Sequence, residues 1–198
     1  MEVAKDLEDP VRGEGFSPSP YADDKGGITV GAGLHPQNKA EFRTYALVYK
    51  GTTLLASDHD KDLAWDNIKA FFNAHKQPGS VKPVNLPAGA YENVTNLEMD
   101  RTESRERAAA LLSTLDRQLR ARFSDFRSYP REAQRAVLDM AYNLGMYGLA
   151  TKFPNLDAAV RRGDWLTASR ESKREGIASA RNEHVRNLLL RAAQSTSN

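Results

Sequence analysis

EGFSPSPYADDKGGITVGAGLH, residues 14–35, is the stretch from which this chain is best read. It opens on Glu14-Gly15, places Tyr21, Asp23 and Asp24 in its middle, and closes on Gly31, Gly33, Leu34 and His35. The short β-type run Ile28-Thr29-Val30 between glycine pairs predicts a hairpin or small twisted sheet with tight turns. Such a hairpin can gather the carboxylates of Glu14 and Asp23 and the hydroxyl of Thr29 around one cleft. Cleavage of a glycosidic bond needs that equipment. One protonated carboxyl serves the leaving oxygen, and a second carboxylate activates water or steadies an oxocarbenium-like transition state. The same residues also describe a plain solvated turn, in which Asp23 or Asp24 binds its own backbone.

Outward from this stretch, Tyr45 to Leu55 reads as two short strands around Lys50-Gly51. Asp58 to His75 reads as a helix with Leu63, Ile68, Phe71 and Phe72 at helical spacing and Asp60 or Asp62 as its cap. Residues 76–96, with three prolines, read as a loop. From residue 102 the pattern becomes helical. Thr102 or Asp100 caps a long helix with Ala109, Leu112, Leu115 and Leu119. Pro130 opens a second helix that Gly145 and Gly148 end. Leu156 to Val160 and Trp165 to Ser172 read as short helices parted by Gly163, and Arg181 to Ala193 as a last amphipathic helix. The expected class is α+β: a small N-terminal β lobe over 1–35, an insertion of uncertain structure over 36–97, and a helical lobe over 98–198, all in one domain.

The 198 residues include no cysteine, which removes a disulfide framework and a thiolate metal site. No apolar run approaches the roughly 20 residues of a membrane span, so no membrane partner is expected. Met1 to Pro10 is acidic and lacks the apolar core of a secretory signal. The net charge of +2 conceals an asymmetry, because the second half is strongly basic and its cations are nearly all arginine. A basic helical surface suits an anionic polymer, either nucleic acid or the bacterial cell wall. The aromatic–basic interleaving or recognition helix of a nucleic-acid binder is not evident, so nucleic acid is set aside.

The order Glu14-Gly15, Tyr21-x-Asp23, Gly26, Thr29-Val30-Gly31-x-Gly33 resembles the phage-type lysozymes, glycoside hydrolase family 24. Arg135 to Phe153, with Asn143-Leu144-Gly145 at its centre, resembles that family's helical lobe. Gly176 to Arg186 resembles the segment opening its last helix. The resemblance implies a lysozyme-like fold with an active-site cleft between a small β lobe and a larger helical lobe. It implies a muramidase that cuts the β-1,4 bond between N-acetylmuramic acid and N-acetylglucosamine. Glu14 would be the general acid, Asp23 the second carboxylate and Thr29 the residue that positions water. Tyr21, Gly33, Asn143 and Arg181 would contact substrate, with Arg181 orienting Glu14. The family's inverting chemistry implies carboxyl groups roughly 6.5–9.5 Å apart. No metal or organic cofactor is implied.

Three departures stand out. Leu34 separates the last glycine from His35, where the family has histidine directly. Asp24 is an alternative to Asp23. The 36–97 segment has no counterpart, and is expected to be either a surface decoration or a lid. Asp58, His59 and Asp60 read as a polar helix start rather than a metal site, and Trp65 and Trp165 as core residues rather than sugar platforms. The expected setting is the periplasm or cell wall, reached by lysis as a phage endolysin or by a secretion system as an antibacterial effector. The expected partners are peptidoglycan glycan strands and, for an effector, an immunity protein; the chain is expected to be a monomer. The competing reading is a catalytically inactive lysozyme-like module that binds cell wall.

Overall fold

Pro18 and Pro20 have no N–H to give to a ladder, and the first hairpin is built around that lack. In the computed structural model, which describes residues 15–76 and 86–196, β1 (Ser17–Ala22) pairs antiparallel with β2 (Ile28–Gly31). Tyr21 stands opposite Thr29 and Ala22 opposite Ile28, while the register shifts between Ser17 and Tyr21, where the prolines sit. The chain then reverses a second time. Val30 and Leu34 exchange both backbone hydrogen bonds at 3.0 Å across Gly31-Ala32-Gly33. Gly31 takes φ +65°, and a Cβ there would stand 2.6 Å from Ser104 Oγ. That hydroxyl accepts the Ala32 N–H at 2.9 Å, so the glycine is what lets a distant residue hold the turn.

The described chain divides into two compact units, residues 15–108 and 109–196. The first adds α1 (Lys39–Arg43), β3 (Leu47–Tyr49), α2 (Asp58–Ala74) and β4 (Leu97–Met99) to the hairpin. β3 pairs antiparallel with β4, nearly fifty residues away, and meets Leu55 only through a bridge at Val48. The two strands expected around Lys50-Gly51 are therefore one strand and a return. Ser57, and not Asp60 or Asp62, caps α2 by accepting the Asp60 N–H. The buried face of α2 is Lys61, Ala64, Ile68 and Phe72, whereas Leu63 is 46% exposed. Spacing of three and four residues, not the looser apolar count, sets the face.

The described part of the 36–97 segment is more than a surface decoration in its packing. Its Phe42, Leu47, Ile68, Phe72 and Tyr91 share one core with Ile28, Val30 and Leu34 of the hairpin. A four-stranded, two-sheet unit of this size cannot bury a hydrophobic face without them.

The second unit is helical, and the helix that leads into it begins within the first. α3 (Arg101–Arg122) opens on Asp100, whose carboxylate accepts the N–H groups of Thr102 and Glu103. α4 (Arg131–Lys152) follows Pro130, and Gly145 at φ 67°, ψ 165° breaks it. Helix resumes past that break, so Gly148, expected to help end the helix, lies buried inside it. α5 (Pro154–Arg161) and α6 (Trp165–Glu171) are parted by Gly163 at φ 68°, and α7 (Ser179–Thr196) packs on α4 and α6. Asp164 caps α6 on the Thr167 N–H. Tyr129 stands edge-on to Trp165 at 4.8 Å, which places Trp165 in the core as expected. Two small antiparallel sheets and a larger helical region agree with the α+β class.

Candidate functional site

Asp23 leaves the end of β1 and is locked by the turn it begins. Its backbone N–H donates to Gly27 O at 2.8 Å, and the Gly26 N–H donates to Asp23 O at 3.0 Å. Its Oδ1 accepts from the backbone N–H groups of Lys25 at 2.9 Å and Gly27 at 2.7 Å. One carboxylate oxygen is thus spent on the Asx-type contact that any turn aspartate could make. The other, Oδ2, lies 3.9 Å from His35 Nδ1. Asp23 is half-buried while its neighbour Asp24 is exposed, which favours Asp23 as the residue with a defined pose.

α2 holds this turn from behind. The Lys69 ammonium donates to the Gly26 carbonyl, and Gly26, at φ +83°, lies so close to Phe72 that a Cβ would meet the ring at 2.7 Å. The turn that orients the carboxylate is therefore seated on the segment expected to be a surface decoration or a lid.

Thr29, opposite Tyr21, is 7% exposed, and its Oγ1 lies 3.2 Å from the same His35 Nδ1. Asp23, Thr29 and His35 form one cluster around a single nitrogen. Gly27 lies directly beneath it. A Cβ at that position would fall 2.1 Å from His35 Cε1 and 2.8 Å from Asp23 Oδ2. Leu34, the residue that separates His35 from the glycines, is 3% exposed and belongs to the core. Its burial fixes the strand reversal that brings the imidazole back over the turn.

Tyr21 packs against the core with its ring 6.4 Å from that of Tyr91. Tyr91 is fully buried, and among the described residues its hydroxyl has no hydrogen-bond partner. Burial raises its pKa, and the negative charge of Asp23 raises it further. Gly33 takes φ +75° in the second reversal and acts there as a backbone residue. Glu14, the expected general acid, lies outside the described residues, and with it the separation of the two carboxyls.

The other two expected residues belong to the helical unit. Asn143 is half-buried on α4, two residues before the Gly145 break. Arg181, on α7, is 2% exposed and lies 3.5 Å from Asp139 Oδ2. Asp139 Oδ1 also pairs with the buried Arg174 at 2.8 Å. Arg174 in turn donates its backbone N–H to Asn182 Oδ1, while Asn182 Nδ2 donates to Arg174 O. Sequence reading passed over Asp139, Arg174 and Tyr91. Asp139 had a signal, being an acid between Ala136 and Met140 on the buried stripe of a helix and four residues before Asn143. Tyr91 had none.

Asp58 and Asp60 open α2, with the hydroxyls of Ser57 and Tyr49 donating to Asp60. Among the described residues no group of three or more acids and histidines is placed to hold a metal ion. Chemically, the hairpin offers a fixed carboxylate with one free oxygen, a buried hydroxyl and a half-exposed imidazole. That set can hold and polarise a water molecule. The chain matches no known family pattern and no curated protein.

Proposed function

We propose that the chain is a peptidoglycan hydrolase with a lysozyme-like fold, a muramidase that cleaves the β-1,4 bond between N-acetylmuramic acid and N-acetylglucosamine with inversion. The observation that carries this reading is the Asp23 carboxylate. Two backbone N–H groups hold one of its oxygens, and the other is left free in the Asp23–Thr29–His35 cluster. In the proposed reaction Asp23 takes a proton from water, Thr29 aligns that water, and Glu14 protonates the leaving sugar oxygen. The sequence motif supports the role of Glu14, and it is also the basis for giving Asn143, Arg181, Tyr21 and Gly33 contacts to the glycan. The basic second half suits a polymer rich in carboxylates. Action in the periplasm or cell wall, as an endolysin or an effector domain with an immunity partner, belongs to the same proposal.

The test is release of reducing ends from purified peptidoglycan. Glu14→Gln lowers the rate by about 10²–10⁴-fold, the usual worth of a positioned general acid, and Asp23→Asn lowers it severely. Near-full activity in the Glu14 variant would overturn the assignment. A wild-type chain that binds peptidoglycan but releases nothing identifies the inactive binding module instead.

A further inference from the structure

We propose that His35 is a positioning residue that sets the direction of the Thr29 hydroxyl, and that its charge decides whether the hairpin can present a water for attack. This rests on reading the cluster as the water-activating part of the site. A water that attacks carbon must hand both of its protons to acceptors, so that a lone pair faces the electrophile. Asp23 Oδ2 can accept one proton. Thr29 can accept the other only if its own proton is donated elsewhere, because a hydroxyl has a single donor and must spend it. The group 3.2 Å from Thr29 Oγ1 is His35 Nδ1.

With its proton on Nε2, the neutral imidazole accepts the Thr29 proton and leaves the Thr29 oxygen open to water. With both nitrogens protonated, Nδ1–H donates to Thr29 Oγ1 and the hydroxyl proton turns outward. Thr29 then donates to the water and spoils its alignment. Among the described residues Asp23 Oδ2 lies 3.9 Å from the imidazole, and Lys69 of α2 is held on the Gly26 carbonyl in the turn that Asp23 begins. Asp23 attracts the imidazolium, so acidification both captures the general base and reverses the hydroxyl. The missing Cβ at Gly27 is what allows the ring to lie here at all.

The experiment uses the full chain and two readouts. In ¹⁵N NMR at neutral pH, His35 Nδ1 shows the resonance of an unprotonated acceptor, and Thr29→Val moves it. A protonated Nδ1, or no response to Thr29→Val, overturns the proposal whether or not the protein is a muramidase. On peptidoglycan, His35→Phe lowers kcat by about 10²-fold, the cost of a misplaced reactant, with little change in KM. His35→Asn can set a carboxamide oxygen at the place of Nδ1, so it recovers most of kcat. Its pH profile lacks one ionisation on the acid side. Wild-type rates in the Phe variant, or an unchanged acid limb in the Asn variant, overturn the proposal. An inactive wild type sinks the muramidase reading, and the NMR result then decides the role of His35 alone.

Discussion

Gly27 shows how much one missing methyl can do. Its Cβ would collide with the far end of the His35 side chain and with Asp23 Oδ2, not with backbone. The imidazole is 43% exposed and has room to swing away. Gly27→Ala is therefore expected to change stability by less than about 1 kcal/mol, in the range of ordinary surface substitutions. It should nevertheless displace His35 from Thr29, press on the Asp23 carboxylate, and lower peptidoglycan cleavage at least as far as His35→Phe does. A thermal melt paired with the activity assay checks this. Tyr91 makes the opposite case. Its buried hydroxyl has no partner among the described residues and carries a desolvation penalty, whereas its ring packs against Phe71 at 5.0 Å and Tyr21. Tyr91→Phe keeps the ring and should stabilise the first unit by about 1 kcal/mol; a lowered urea midpoint would show that the hydroxyl is satisfied.

At the scale of elements, the decisive piece is α2. Its Phe72 and Lys69 seat the Asp23 turn, and its Ile68 lies in the core of the hairpin. Deleting residues 40–95 removes Phe42, Leu47, Ile68, Phe72 and Tyr91 together. Each large apolar side chain lost from a core costs about 2–5 kcal/mol, against a typical total stability of about 5–15 kcal/mol. The deleted chain is expected to lose the fold of its first unit. Its near-ultraviolet circular dichroism and protease resistance report this directly. A well-folded deletion variant would return the segment to the status of an ornament.

At the scale of the whole molecule, stability should be bounded on both sides of neutrality. Ser57 and Tyr49 hold the Asp60 carboxyl below its ordinary value of 3.8, Arg43 does the same for Asp62, and the Thr167 amide for Asp164. A carboxyl with a depressed folded pKa contributes stability that is complete above its unfolded value, about 3.9. That stability is lost as the pH falls through the folded value. Tyr45 behaves in the reverse sense. Burial, reinforced by Glu41, pushes it up to about 12. Its contribution is complete below the unfolded value of about 10 and is lost as the pH climbs towards 12. Urea unfolding across pH should show a plateau from about pH 5 to 9 with a decline on each flank. Tyr45→Phe should soften the alkaline decline, and a steady rise in stability down to pH 3 would contradict the acid side.

The amino-acid sequence determined the features that depend on neighbours along the chain. The hairpin over 15–35 followed from glycines and a β-branched run, the helix from Asp58 from its periodicity, and the break at Gly145 and the Gly163 turn from glycine's freedom at positive φ. The candidate carboxylate Asp23 and hydroxyl Thr29 were legible because their spacing is local. Only the tertiary structure decided what depends on distant partners. The pairing of β3 with β4 joins strands nearly fifty residues apart, and Ser104 holds a turn seventy-two residues earlier in the chain. Phe42, Leu47, Ile68, Phe72 and Tyr91 proved to be core because packing against Ile28, Val30 and Leu34 is a property of no local pattern. His35 joined Thr29 and Asp23 for the same reason: the burial of Leu34 and the bare Gly27, acting together, bring the imidazole over the turn.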